Sequence, residues 1–523
     1  MNVMQLLDWK KNSNTKLDHL AEIVYLLMFN MMLGIKMAGF YDGQMIFKLV
    51  FVVYVLLFFI KMILTQYTMK EYLLSALLII LSGLVYINTG EKGLFLCFSM
   101  MLGVKNVSVK KVISIAAIIS GLTMTFNIFT RAFGLIGEAY YSSYREGIGE
   151  QIRHTLGYAH PNTLSISFFV LTIILVYLST KKRFHIYFVS MIFLALNLYI
   201  FMYSGSRTGL LCSIIYILIN LYFYNKKGLK ISEKIMCTLI YPTTSIVTIV
   251  LPFILHGDVF TVIDNYVFSL RLTMAKYYAE NNELSLFGIR LANPDELPFS
   301  IDMAGMYLFL QLGLAAFIIV VALNLIFVKR AIKMGMMAEL AMFIAICFAG
   351  IWEPFLYNSS YKNLIFLFIG VIVFSNDPDK LNFDNSSHDV NKSRIYMGFL
   401  AGIIVAFIVT IFFLFTTKPY SVLYADIEAP NVERNMTQSK EYLNQEMQEQ
   451  IIENGGIILR WWNKNDLNAP LYKYDNRAAI SEYWLKTISI FVFCFVFCIS
   501  LESLYFVLRD WKRTNSINGY FEK

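Results

Sequence analysis

The chain has 523 residues, of which 57% are hydrophobic and 15% charged, with a mean hydropathy of +0.58 and a formal net charge of +8. A water-soluble domain needs more polar surface than that to cover itself. The Lys and Arg residues sit in short clusters between apolar blocks, a pattern that orients a membrane protein and does not suggest nucleic acid binding.

In chain order, a polar segment 1–19 with Lys10, Lys11 and Lys16 comes first. The apolar run from Leu20 lacks a small-residue cleavage pattern and reads as a retained first span, not a removed leader. Hydropathy predicts an all-α, polytopic transmembrane helix bundle of about fourteen spans, since a helix needs roughly 20 apolar residues to cross the bilayer core. These fall near 20–40, 45–61, 72–88, 93–104, 112–130, 161–179, 184–202, 208–224, 235–256, 304–328, 337–356, 361–375, 395–416 and 487–508. With the N-terminus inside, every inner loop is basic, from Lys61 and Lys70 through Lys181, Lys182 and Arg183 to Arg509, Lys512 and Arg513. Both ends are therefore expected inside.

Two large loops, 132–160 and 256–303, then lie outside a core of about twelve spans covering 20–375. A polar inner linker, 376–394, separates this core from a two-span hairpin, 395–508, and an inner tail, 509–523. The hairpin carries an outer segment, 417–485, with a helix expected over 437–453 and then Trp461, Trp462, Tyr472, Tyr474, Tyr483 and Trp484, read first as a membrane-surface aromatic belt and second as sugar-stacking rings. The six cysteines lie in or beside apolar segments, so neither a disulfide framework nor a metal site is expected.

Before residue 376 the outer face holds six arginines (Arg131, Arg145, Arg153, Arg207, Arg271 and Arg290), against the usual topological bias. A guanidinium presents a planar fork that fits phosphate, so an anionic partner would explain the choice; pairing with Glu138, Glu146 or Glu150, or with lipid headgroups, is the plainer alternative. Three clusters carry them. Arg153, His154, His160 and Asn162 approach the mouth of a span that Pro161 opens. Ser204, Ser206 and Arg207 sit in a tight turn that resembles an anion cradle. Arg271 follows Ser269 in an expected amphipathic helix with Val267, Leu270, Met274 and Tyr277 on one stripe, and Arg290 and Asp302 come later. Glu353, in a Trp-Glu-Pro triplet near the end of an apolar span, is a costly position for a carboxylate and a functional candidate.

The motifs GYAHPN at 157–162, SGSRTG at 204–209, SLRL at 269–272 with FG at 287–288, and WEP at 352–354 resemble the O-antigen ligase/polymerase family of Wzy-type polysaccharide polymerases, over roughly 20–375. The resemblance implies a bundle related to the GT-C glycosyltransferases in a bacterial inner membrane, with its site on the extracytoplasmic face. It also implies polymerisation of polyprenyl-diphosphate-linked oligosaccharide repeats, without metal or cofactor, beside a flippase and a chain-length regulator. Arg153, Arg207 and Arg271, with Ser204 and Ser206, would hold the diphosphate; His154, His160 or Glu353 would act as base; Arg145, Arg290, Asp302 and Asn162 are secondary candidates. The arginine spacing described for the family's large loops is not reproduced cleanly. A ligase that moves finished glycan to another acceptor would share these residues, and a flippase for the same lipid-linked saccharide is the reading from another class.

Overall fold

The protein was analysed as a computed structural model, which describes residues 3–133, 135, 140–145, 149–182, 185–291, 300–374, 392–416, 440–441, 460–463, 466–473 and 477–520. Among the described residues, eleven helices are long and apolar enough to cross a membrane. The first unit contains α1 (Val3–Met37), α2 (Met45–Leu64), α3 (Met69–Thr89), α4 (Gly93–Gly103) and α5 (Val109–Ala132). After a hairpin of β1 (Tyr140–Arg145) and β2 (Gly149–His154) come α6 (Pro161–Lys182), α7 (Ile186–Ser204), α8 (Arg207–Tyr224) and α9 (Ile231–Ile254). Then follow α10 (Gly257–Ile263), α11 (Arg271–Asn281), α12 (Ala304–Met306), α13 (Leu314–Met334), α14 (Met337–Ala349) and α15 (Ile365–Phe374).

Many apolar side chains on these helices are exposed, among them Ile63, Ile87 and Met202 at 82%, 78% and 80%. In water, so much open apolar surface would drive association; against acyl chains it costs nothing. The character of a multi-pass membrane protein thus follows from both composition and fold.

Three of the expected spans are too short to cross unaided. Helices α4, α14 and α15 have 11, 13 and 10 residues, about 15–20 Å of helix against a core of roughly 30 Å. They are almost wholly buried. Between α14 and α15 the chain runs irregularly over 350–364, apart from a short 3-10 turn at Pro354–Leu356. Irregular backbone among apolar helices must find its hydrogen bonds in protein. Here Asn363 donates to the Leu356 carbonyl, Ser360 Oγ to the Phe355 carbonyl, and the Ser360 amide to Asn358. Glycines let α4 come close enough to shield this stretch. A Cβ on Gly93 would strike the Tyr357 carbonyl, and one on Gly370 of α15 would strike Met101 of α4.

The expected span at 304–328 is corrected. Helix α13 begins only at Leu314, after α12, a π-helical turn at Tyr307–Gln311 and Gly313 in the left-handed region at φ +93°. The expected amphipathic stripe is corrected as well. A π-helical turn at Asp264–Phe268 and two left-handed residues, Ser269 and Leu270, precede α11. The face of α11 that packs inward is Arg271, Leu272, Ala275 and Tyr278, whereas Val267, Leu270 and Tyr277 are exposed.

Side-chain contacts sort the two ends of this unit. At one end Lys105 pairs with Glu71, Lys111 with Glu22, Lys181 with Glu339 and Lys226 with Glu233, and Arg330 donates to the Ile372 carbonyl. The starts of α6 and α8, the end of α7 and the start of α11 lie away from that lysine end and gather the arginines.

The chain forms two compact units, the first comprising 1–124 and 137–388 and the second 125–136 and 389–523. The second contains α16 (Lys392–Thr416) and α17 (Arg477–Tyr520), packed side by side where Gly398 meets Glu502 and Gly402 meets Cys498. The last turns of α5 belong to it through Phe129 stacked on Phe493 at 4.9 Å. Strands β3 (Lys440–Glu441), β4 (Arg460–Asn463) and β5 (Asp466–Lys473) form a small sheet. The helix expected over 437–453 is thus replaced by strand at Lys440–Glu441, and its remainder lies outside the described residues, as do the linker up to residue 391 and the side chains of Trp461, Trp462, Tyr472 and Tyr474. Tyr483 stacks on Phe413 and Trp484 is half exposed.

The close approach of α4 and α15 gives a test. Gly370→Val should overpack this contact at a cost of about 1–3 kcal/mol, read as a lower melting temperature of the detergent-purified protein. An unchanged melting temperature would contradict the contact.

Candidate functional site

The site is built from the starts and ends of helices. Helix α6 opens at Pro161, whose missing N–H costs nothing in a first turn. This places Asn162 at the rim of the bundle. Helix α7 closes at Gly205, in the left-handed region at φ +59°, which turns the chain sharply into α8. Arg153, the penultimate residue of β2, lies across that turn. Its Nε donates to the Ser204 carbonyl at 2.6 Å and its Nη2 to Asn162 Oδ1 at 2.8 Å. The turn expected to cradle an anion therefore holds a guanidinium. The Ser206 amide bonds Ser204 Oγ at 3.2 Å, and the Ser206 hydroxyl is buried without a partner.

Arg271 is aimed inward by strain and by a cap. Left-handed backbone at Ser269 and Leu270 costs about 1–2 kcal/mol per residue outside glycine. Asp264, fully buried, offsets it. Its carboxylate accepts the Leu272 and Thr273 amides at 2.9 and 3.0 Å and the Thr273 hydroxyl at 2.5 Å, satisfying the open N–H groups of α11. Arg271 then reaches Glu353 Oε1 at 3.2 Å, the Phe268 carbonyl at 3.2 Å and Asp302 Oδ2 at 3.4 Å.

Glu353 owes its position to Pro354. A residue before proline is driven out of the helical region, and Glu353 is extended at φ −136°, ψ 136°. Helix α14 has already ended at Ala349, and after the turn at 350–352 the Glu353 carboxylate turns toward α6. Asn162 Nδ2 donates to Glu353 Oε1 at 3.3 Å. The result is one continuous chain, Ser204–Arg153–Asn162–Glu353–Arg271–Asp302, drawn from five separate stretches of sequence. Arg153, Arg271 and Glu353 are each no more than 9% exposed.

Two further residues complete it. His160 Nδ1 accepts the Asn162 amide at 3.1 Å. Burial first, and the Arg153 charge second, hold its imidazole well below the usual histidine range, at about 4. Lys362, on the same irregular stretch as Glu353, donates to Ser167 Oγ at 2.8 Å, deeper along α6 than Asn162. It is 3% exposed. The site therefore gathers three basic side chains, Arg153, Arg271 and Lys362, and two carboxyl groups, Glu353 and Asp302. The two guanidinium forks suit an anionic ligand such as a phosphate.

No protein-family model, curated protein or solved structure matches this chain.

Other expected residues stand elsewhere. Arg207 lies at the rim, exposed, and ties α8 to the Asp264 turn through the Tyr266 carbonyl at 2.8 Å and Ser269 Oγ at 3.2 Å. His154 packs edge-on against Tyr203 at 5.3 Å. Arg290 is exposed near Gly90. Arg131 closes α5 and belongs to the second unit. The Arg145 side chain lies outside the described residues. Among the described residues no group of three or more metal-binding side chains forms. Sequence reasoning missed Asp264 and Lys362. The signal for Lys362 was a lysine opening an apolar run, which also suits a membrane-interface anchor.

Two measurements test this geometry. Glu353→Gln and Arg271→Gln should each lower stability by about 3–5 kcal/mol, because each leaves a buried charge without its partner. The double variant should lose clearly less than the sum, and additive losses would refute direct pairing. His160, with its folded value lowered from 6.5 to about 4, takes up a proton in the unfolded chain before it does in the folded one. It thus contributes stability that is complete above about pH 6.5 and is lost as pH falls toward about 4. The melting temperature should drop across that window, with a shallower slope in His160→Gln; equal slopes would remove His160 from the buried cluster.

Proposed function

We propose that this chain is a membrane glycosyltransferase that polymerises polyprenyl-diphosphate-linked oligosaccharide repeats at the extracytoplasmic face of a bacterial cell membrane. The observation that carries this reading is the convergence of three motifs on one carboxylate. The Arg153 stretch, the Arg271 loop and the Trp-Glu-Pro triplet share no sequence neighbourhood, yet Asn162 and Arg271 both donate to Glu353 Oε1. The lysine end faces the cytoplasm in this reading, because basic loops are retained inside. The arginine end then faces outward.

The chemistry follows from the charges. An acceptor sugar hydroxyl attacks the anomeric carbon of the donor. A carbon–oxygen bond forms there, and the bond from that carbon to the phosphate oxygen breaks. The electron pair leaves with the lipid diphosphate, whose growing negative charge Arg271, Arg153 and Lys362 stabilise in a site nearly closed to water. The hydroxyl proton passes to a base. Glu353 is assigned that role because both of its hydrogen bonds use Oε1, leaving Oε2 to accept. His160, neutral and beside Asn162, orients the donor end. Arg207 braces the Asp264 turn rather than touching diphosphate.

In cells lacking the native gene, Arg271→Ala and Arg153→Ala should reduce polymer at least about 100-fold, in line with the loss of a transition-state cation, while single repeats still reach the surface. Arg207→Ala should retain partial activity. Normal long-chain polymer in both buried-arginine variants would overturn the proposal. A deletion that leaves long polymer on its carrier would reassign the same site to a ligase.

A further inference from the structure

A second polar cluster lies outside the arginine site, where the loop between α3 and α4 meets the stretch before α13. Glu91 is held by Gln311, whose Nε2 donates to Glu91 Oε1 at 2.9 Å, and its own amide bonds Thr89 Oγ1 at 2.9 Å. Lys92 beside it pairs with both oxygens of Asp42 at 2.8 and 3.0 Å, so that pair is internally neutral. The Tyr86 ring, about half exposed, lies 5.7 Å from the Lys92 ammonium. The Phe287–Gly288 motif closes the cluster. Gly288 at φ +82° packs so tightly on Gln311 and Thr89 that a side chain there would collide, and the Ile289 amide donates to the Gln311 carbonyl.

Tyr307 is 5% exposed, and its hydroxyl faces Glu91 without closing a hydrogen bond of ordinary geometry. A buried phenol normally finds a partner. Burial pushes the Glu91 carboxyl above its usual range. Tyr307 and Gln311 begin and end the π-helical turn, and such turns recur at functional sites. The same stretch starts at Asp302, which contacts Arg271. Five residues of chain, at most about 18 Å, separate Asp302 from Tyr307.

We propose that Glu91, Tyr307 and Gln311 form a saccharide-binding subsite that takes the hydroxyl groups of the acceptor sugar. The ligand class follows from the donors and acceptors. A carboxylate, a carboxamide, a buried phenol beside that carboxylate and a neighbouring aromatic ring suit a neutral polyol, whereas the arginine site, with its two guanidiniums, suits a diphosphate. The inference rests on the polymerase reading for the word acceptor; the subsite itself stands on the geometry.

The test uses the full-length protein in detergent micelles and saturation-transfer NMR with free glucose, galactose, mannose, rhamnose and N-acetylglucosamine. Inorganic pyrophosphate binding is followed in parallel by thermal shift. At least one sugar should give a signal with the wild type. Glu91→Gln and Tyr307→Phe should each reduce it at least 5-fold, while Arg271→Gln keeps it. Pyrophosphate should show the reverse pattern. Tyr307→Phe removes a single oxygen, so it keeps the test open if Glu91→Gln does not fold. No sugar signal from the wild type, or an undiminished signal in Tyr307→Phe, overturns the subsite. Loss of the pyrophosphate effect alone counts against the polymerase reading and leaves the subsite standing.

Discussion

The carboxylate of Glu353 is the constraint on which the arginine end of the protein depends. A charged oxygen inside an apolar bundle is tolerable only if cations and donors surround it. Asn162 and Arg271 meet that need at the same oxygen, Oε1, and each brings a different part of the chain with it. Asn162 ties in Arg153 and through it the end of α7; Arg271 ties in Asp302 and, through its position after the strained turn, Asp264. Holding one charge thus fixes the relative placement of α6, α7, α11 and α14.

The same requirement explains the short helices. A full-length span would carry Glu353 through the hydrocarbon as one more helical side chain. Ending α14 at Ala349 and restarting at Ile365 leaves an irregular stretch at depth. That stretch can present both Glu353 and Lys362 toward α6, which a single helix face does with less freedom. Its backbone is affordable only because α4, itself short and glycine-bearing, lies against it.

Sequence periodicity and charge showed the multi-span helical class, because apolar block length and basic loops are local signals. They located Arg153, Asn162, Arg271 and Glu353 as unusual for the same reason. They did not show which of these meet, since contacts between residues 162, 271 and 353 depend on tertiary packing. The stripe through Val267 and Leu270 misled because helical spacing was assumed to continue across a break that no proline or glycine marks. Ser269 and Leu270 adopt left-handed backbone only because Asp264 caps the following helix. Lys362 was hidden by its position at the head of an apolar run, and Glu91 by lying in a three-residue loop between two helices.

The π-helical turn at Tyr307–Gln311 has a consequence for how this family of sites can vary. A π turn holds one residue more than an α-helical turn in the same place, and here left-handed Gly313 ends it before α13 begins. A residue lost within it would be taken up locally, shifting Gln311 against Glu91 while Asp302 kept its place beside Arg271. The turn therefore lets one polar cluster be retuned without disturbing the other, and a single codon gained or lost would be enough to do it.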